Sequence, residues 1–186
     1  FSKYYASEMC IRVANDALQV LGGSGYMRDY PVERLPRDAR ITTISEGTSQ
    51  LQVLAAVRGV LQGSLDRAIE DVLLVVDAAK VCPTLKAKLE QGQAELAESI
   101  AFVKTQPGVE YMDLYGRKLV DAAIDVLCGY LFLRDSQWSD HKAACARRWI
   151  ETRMPRVAML KQLILSGDRS TITDFEKLVG PIPLAG

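Results

Sequence analysis

MDLYGRKLVDAAIDVLCGYLFL, residues 112–133, brings an apolar side chain round every three or four positions: Met112, Tyr115, Leu119, Ala122, Val126, Tyr130 and Leu133. That spacing follows the 3.6-residue turn of an α-helix and gathers these side chains on one face, which must be covered by something apolar. The neighbouring segments supply the cover. Leu85, Leu89, Leu96, Ile100 and Val103 form a second stripe, closed by Gln106-Pro107-Gly108. Leu65, Ile69, Val72, Leu73 and Val76 form another, ended by Cys82-Pro83. On the other side a last long helix is expected from about Trp138, carrying Cys145, Trp149, Ile150, Val157, Leu160 and Ile164. Pro155 removes a backbone donor inside it and predicts a kink. Amphipathic helices joined by short connections predict an antiparallel bundle. No strand-like alternation of any length is present, so the fold class is all-α, a helical bundle. The tail after Gly180, with Pro181, Pro183 and Gly186, is expected to be irregular.

Towards the N-terminus the pattern changes. Tyr5, Met9, Val13, Ala17 and Val20 predict a helix with one buried stripe, stopped by Gly22-Gly23-Ser24-Gly25. The stretch from Tyr26 to Ser45, with Pro31 and Pro36, reads as loop with at most one short helix. A further helix is expected from Glu46–Thr48 to about Gly63, with Val53, Val57 and Val60 on one side and Leu51, Leu54 and Leu61 on another. Apolar on two faces, it should be largely buried.

The chain has 186 residues, enough for one domain or two small helical ones. The 23 basic and 23 acidic side chains cancel, so nothing global draws it to nucleic acid or an anionic membrane. Charges interrupt every apolar run before it could span a bilayer, and no signal peptide is visible. The opening Phe1-Ser2-Lys3-Tyr4, already helical and without an initiating Met, predicts a piece of a longer protein. The four cysteines, Cys10, Cys82, Cys128 and Cys145, form no CxxC pair and are expected to be buried and reduced, as in a cytosolic protein. The single histidine, His141, has Asp140 and Cys145 nearby without metal-site spacing, so no metal is expected there.

Two short motifs carry candidate chemistry. In Gln19-Val20-Leu21-Gly22-Gly23-Ser24-Gly25-Tyr26 a helix runs into glycines whose backbone N–H groups could approach a phosphate unhindered. Taken alone, such a cluster more often merely ends a helix. It opens no helix of its own, so it is neither a dinucleotide fingerprint nor a phosphate-binding P-loop. In Ile44-Ser45-Glu46-Gly47-Thr48-Ser49-Gln50-Leu51 a carboxylate precedes a helix. On spacing alone this is a charge set against the helix dipole, with Thr48 or Ser49 as cap.

Read together, and with Tyr30-Pro31-Val32-Glu33-Arg34 and Arg37-Asp38-Ala39-Arg40-Ile41 between them, these stretches resemble the C-terminal helical domain of the acyl-CoA dehydrogenase family. The resemblance runs from about residue 3 to residue 62, with several motifs in fixed order. It implies a flavoprotein oxidoreductase that introduces a trans-2 double bond into acyl-CoA thioesters. Glu46 is then the base that removes the pro-R α-proton, and the β-hydrogen passes as hydride to FAD. The chemistry suits the residue: a thioester α-proton is weakly acidic, so a carboxylate in a water-poor site is needed, with hydrogen bonds to the enolate-like oxygen. The resemblance also implies that Gly47 lets the acyl chain and flavin lie close to the backbone. Thr48, Ser49 and Gln50 would contact FAD near its adenosine–pyrophosphate part. Gln19, Gly22 and Gly23 would reach the FAD of a neighbouring subunit, which makes a homo-oligomer the expected assembly. Ser45 departs from the Tyr common at that position, which bears on acyl chain length rather than on the reaction. An electron-transferring flavoprotein is the implied partner. A bacterial cytoplasmic setting is implied too. An oxidase returning electrons to oxygen, or a non-catalytic assembly module, are the alternatives.

Residues 1–63 are thus expected to be the C-terminal part of the catalytic helical domain, inactive alone, and residues 64–186 an additional helical bundle. The latter resembles, less specifically, the extra C-terminal domain of some bacterial family members. Arg147, Arg148, Arg153 and Arg156 read there as the solvated face of the last helix. Trp138 and Trp149 read as core or subunit contacts.

Overall fold

The computed structural model describes residues 1–181. Its elements are α1 (Ser2–Tyr26), α2 (Leu35–Arg40), α3 (Ser49–Leu61), α4 (Ser64–Leu73), α5 (Pro83–Thr105), α6 (Glu110–Asp135), α7 (Asp140–Leu165), α8 (Ser170–Thr173) and α9 (Phe175–Val179). Among the described residues there is no strand, as the periodicity requires. The helix ends follow local chemistry. Pro83 sits in the first turn of α5, where its missing N–H costs nothing. Ser139 caps α7, its side chain accepting from the Lys142 N–H at 3.3 Å. Glu110 and Asp113 place negative charge at the start of α6. The helix α7 runs through Pro155 to Leu165.

Helices α5, α6 and α7 run up, down and up. Tyr130 and Gly129 of α6 meet Gln93 and Leu89 of α5, whereas Phe102 meets Tyr111, so those two are antiparallel. Lys88 pairs with Glu151 and Lys161 with Glu98, so α5 and α7 are parallel. Helix α6 is at the centre and is buried nearly all round: Leu119, Val120, Ala123, Val126 and Leu133 are fully covered. One core gathers α4, α5, α6 and α7 around Leu89, Leu96, Leu119 and Ile150. A second joins Tyr4 of α1 and Val53 and Val57 of α3 to Val120 and Ile124 on another side of α6. The α6 stripe read from sequence was therefore half of its buried surface. The hydroxyl of Tyr111 donates to the Ile164 carbonyl at 2.5 Å and that of Tyr115 to the Asp168 carbonyl at 3.0 Å, tying the end of α7 to the start of α6.

Several expectations are corrected. The stretch after Tyr26 holds the one short helix allowed for it, α2, but less loop than expected, because two 3₁₀ turns, Pro31–Arg34 and Ile41–Thr43, flank that helix. Its prolines fall in first turns, where they start helices rather than break them. The α1 stripe is not buried. Val13 and Val20 are exposed, because α3 and α6 pack on a neighbouring face carrying Tyr4, while Tyr5 of the stripe meets Trp149 of α7. In α3 only Val53, Val57 and Val60 are buried and Leu51 is exposed. The α4 helix ends at Leu73, before Val76. The cysteines are free but not buried; Cys10 and Cys82 are exposed. Trp138 is 66% exposed, with Arg134 over its ring, and so is no core residue. Pro183 and Gly186 lie outside the described residues. No described helix is long and apolar enough to cross a membrane.

Close packing at the centre makes a specific demand. A Cβ built on Gly129 would lie 2.3 Å from Cδ2 of Leu89, and Leu89 is itself fully buried and has nowhere to turn. Gly129→Val is expected to lower the unfolding free energy by about 3 kcal/mol. A reduced urea midpoint with an unchanged denaturant slope would show it.

Candidate functional site

The segment from Thr42 to Gln52 is a tight reversal leading into α3. Ser45 N–H donates to the Ile41 carbonyl at 2.9 Å and ends the 3₁₀ turn. Glu46 then takes a positive φ of 54°, alone in this among the described non-glycine residues, and Gly47 follows at 94°. Left-handed backbone costs a non-glycine residue about 1–2 kcal/mol, so the surroundings must impose it. They do so through carbonyls. Lys3 Nζ of α1 donates to the Thr42 carbonyl and, at 3.3 Å, to that of Gly47. Gln52 Nε2 donates to the Glu46 carbonyl at 3.2 Å. Gly47 is required by its φ, and a Cβ there, 2.5 Å from Gln52 Nε2, would also push that side chain off the Glu46 carbonyl.

Thr48 caps α3, its Oγ1 accepting from the Leu51 N–H at 3.3 Å. Ser49 Oγ is buried without a hydrogen-bond partner, a costly state for a hydroxyl unless a ligand completes it. Gln50 is exposed in the same first turn. Glu46 is exposed too, so nothing among residues 1–181 shields its carboxylate from water.

The second group is elsewhere. Helix α1 breaks at Gly22 (φ 57°, ψ −140°) and makes one more turn to Tyr26. Gln19, Gly22 and Gly23 are exposed, and side-chain positions at the two glycines would meet nothing within 4 Å. Lys3, which touches the Glu46 turn, and Gln19 are separated by most of α1, about 24 Å at 1.5 Å per residue. One chain therefore brings Glu46, Gly47, Thr48, Ser49 and Gln50 together and holds Gln19, Gly22 and Gly23 apart from them. The open glycines and the unpaired Ser49 hydroxyl suit polar parts of FAD at two separate places.

A charged cluster was not legible as such. Tyr4 hydroxyl donates to Asp121 Oδ1 at 2.8 Å and accepts from Arg117 Nε at 2.9 Å. Arg117 pairs with Glu8 at 2.7 Å, and Arg156 with Asp121 at 2.8 Å and with Asp125. Arg153 approaches Asp125 at 3.8 Å and covers the Trp149 ring at 4.8 Å. Arg153 and Arg156 are thus part-buried partners rather than a solvated face, whereas Arg147 and Arg148 are exposed. Burial, with the Asp121 hydrogen bond, pushes the Tyr4 phenol well above its ordinary range. Burial also raises the Asp125 carboxyl, against the opposing pull of Arg156 and Arg153. These groups line a cleft of 490 Å³ between α1, α6 and α7. The signal in the sequence was the four-residue spacing Arg117, Asp121, Asp125, which puts one cation and two carboxylates along one helix face.

Residues 1–61 match the family model described as acyl-CoA dehydrogenase, C-terminal domain, and residues 62–174 the one described as acyl-CoA dehydrogenase C terminal. Among curated relatives, the probable acyl-CoA dehydrogenase YngJ of Bacillus subtilis is 50% identical over 62 residues, 33% of this chain and 16% of its own length. The cyclohexane-1-carbonyl-CoA dehydrogenase of Geobacter metallireducens is 50% identical over 60 residues, 32% of this chain and 16% of that one. The 3-(aryl)acrylate reductase of Clostridium sporogenes is 48% identical over 61 residues, 33% and 16% of the two chains. The match thus spans about a sixth of each of these relatives.

Proposed function

The chain belongs to the acyl-CoA dehydrogenase family, and we propose that it supplies the catalytic base, Glu46, for removing the α-proton of an acyl-CoA thioester. The observation that carries this reading is the turn at Glu46: a non-glycine residue held in left-handed backbone ahead of a glycine whose own positive φ disfavours any side chain. Strain imposed from outside at one carboxylate is what a positioned base would show. FAD, when bound, accepts the β-hydrogen as hydride, leaving a trans-2 double bond. The chain's own residues do the rest. Gly47 keeps the backbone low beneath the acyl chain. Thr48, Ser49 and Gln50 hold the adenosine–pyrophosphate part, the Ser49 hydroxyl gaining the partner it lacks. Gln19, Gly22 and Gly23 serve the FAD of a second subunit, a reading supported by their separation from Glu46. A homo-oligomer is then needed for a complete site, and the exclusion of water from Glu46 falls to groups other than residues 1–181.

Residues 1–63 are assigned to the catalytic helical domain and residues 64–186 to an additional bundle. The partners are the acyl-CoA substrate and an electron-transferring flavoprotein, and the setting is the bacterial cytoplasm. The test is turnover by the full-length protein containing this chain. Saturated acyl-CoA is expected to become the trans-2-enoyl product with a dye or flavoprotein as acceptor. Hydrogen peroxide formed in step with product would move the assignment to an oxidase, and failure of acyl-CoA substrates to reduce the flavin would overturn it.

A further inference from the structure

Lys3 and Tyr4 are neighbours in the first turn of α1, and they are held by different parts of the chain. The Lys3 ammonium donates to the carbonyls of Thr42 and Gly47, which bracket Glu46. Tyr4 is buried against α6, with its hydroxyl between Asp121 and Arg117. Asp121 is braced in turn by Arg156 of α7. From these contacts we infer that Lys3 is a positioning residue for the Glu46 carboxylate, and that the helices beyond residue 63 set its place through Tyr4. This inference rests on Glu46 being the base.

The physical argument is one of constraint. Glu46 in left-handed backbone relaxes unless its turn is over-determined. Among the described residues the side chains that donate to backbone carbonyls from Thr42 to Gly47 from beyond that stretch are Gln52, on the helix the turn leads into, and Lys3, on another helix. Lys3 is therefore the side-chain donor among them that ties the turn to a separate element, on a helix that also packs against Ile41–Thr43. A charged donor shared by two carbonyls holds more firmly than a neutral one. One residue along, Tyr4 packs on Val53 and Val57 of α3 and on Val120 and Ile124 of α6, so a shift of α1 relative to α6 reaches the turn through Lys3. The bundle beyond residue 63 then contributes to the reaction without touching substrate.

The experiment is stopped-flow flavin reduction by a saturated acyl-CoA in the full-length protein, with Glu46→Gln as reference. Lys3→Met is expected to slow reduction on the order of 10- to 100-fold, as a misplaced reacting group does. FAD content and the acyl-CoA dissociation constant should stay within about twofold of wild type, since the substrate and cofactor contacts are intact. Amide hydrogen exchange should rise in residues 42–48 and not across α5. Lys3→Arg, keeping charge and donors, should recover part of the rate. Tyr4→Phe should slow reduction less, and Lys3→Met/Tyr4→Phe should be no slower than Lys3→Met alone, because the two act in series. Lys3→Met at the wild-type rate while Glu46→Gln is impaired would overturn the positioning role and leave the base in place. Glu46→Gln at the wild-type rate would overturn the base and this inference with it. Fully multiplicative losses in the double variant would overturn the link through Tyr4.

Discussion

Glu46→Gln is expected to slow flavin reduction by on the order of 10⁴-fold in the full-length protein while leaving FAD bound. The substitution keeps the size of the side chain and its ability to accept hydrogen bonds, and removes the capacity to take a proton. A positioned general base contributes about 10²–10⁴-fold, and a thioester α-proton, as a weak carbon acid, belongs at the upper end. Cofactor binding should survive because the contacts assigned to it come from Thr48, Ser49 and Gln50 and from Gln19, Gly22 and Gly23, none of which is altered. The turn should survive as well: its restraints from Lys3 and Gln52 end on main-chain carbonyls, which the substitution does not change. Single-turnover absorbance of the flavin reads the rate, and the visible spectrum of the purified variant reads FAD content. A variant that loses FAD would instead mean that the carboxylate holds the cofactor or the turn.

The second large effect concerns stability. Asp125→Ala is expected to cost about 3 kcal/mol, read from the urea midpoint. Asp125 is 1% exposed and pairs with Arg156 and Arg153, whose side chains are 32% and 24% exposed. Removing one partner of a buried pair strands the other, and the figure sits at the low end because both guanidinium groups reach some water. Asp125→Leu with Arg156→Met should recover part of the loss, since the desolvation penalty leaves with both charges. The pH dependence follows from the direction of the carboxyl's shift. Burial holds it above the ordinary value of 3.8, so over an interval above that value the folded protein keeps a proton the unfolded chain has released. Stability contributed by this group is therefore highest in acid and falls as pH rises through that interval. Asp125→Asn should remove this slope from the midpoint-versus-pH curve, and an unchanged slope would mean that burial does not dominate at this carboxyl.

The amphipathic stripes of α5, α6 and α7 were legible because covering an apolar face is a local demand, written every three or four residues. Burial on the remaining faces was not. Val13 and Val20 of α1 repeat as regularly as Leu89 and Leu96 of α5, yet the first two are exposed and the second two are buried. Periodicity says that a face wants a partner and not whether the described chain provides one. In α6 the converse occurred: Val120 and Ile124 lie off the predicted stripe and are buried because α1 and α3 arrive from another side.

The all-helical character of the chain was legible in its residues alone, as was, through Glu46-Gly47-Thr48-Ser49-Gln50 and the glycines at 22 and 23, the family it resembles. Both are properties of order and spacing along the chain. Folding is what holds Glu46 in left-handed backbone, buries the Ser49 hydroxyl without a partner, and sets Lys3 on the turn while the adjacent Tyr4 reaches Asp121, 117 residues along the chain. It also decided that Arg153 and Arg156 bind carboxylates while Arg147 and Arg148 face water. The reason is physical. A hydrogen bond or ion pair is fixed by where two side chains meet in space, and residues 4 and 121 carry nothing in their own neighbourhoods that names the other.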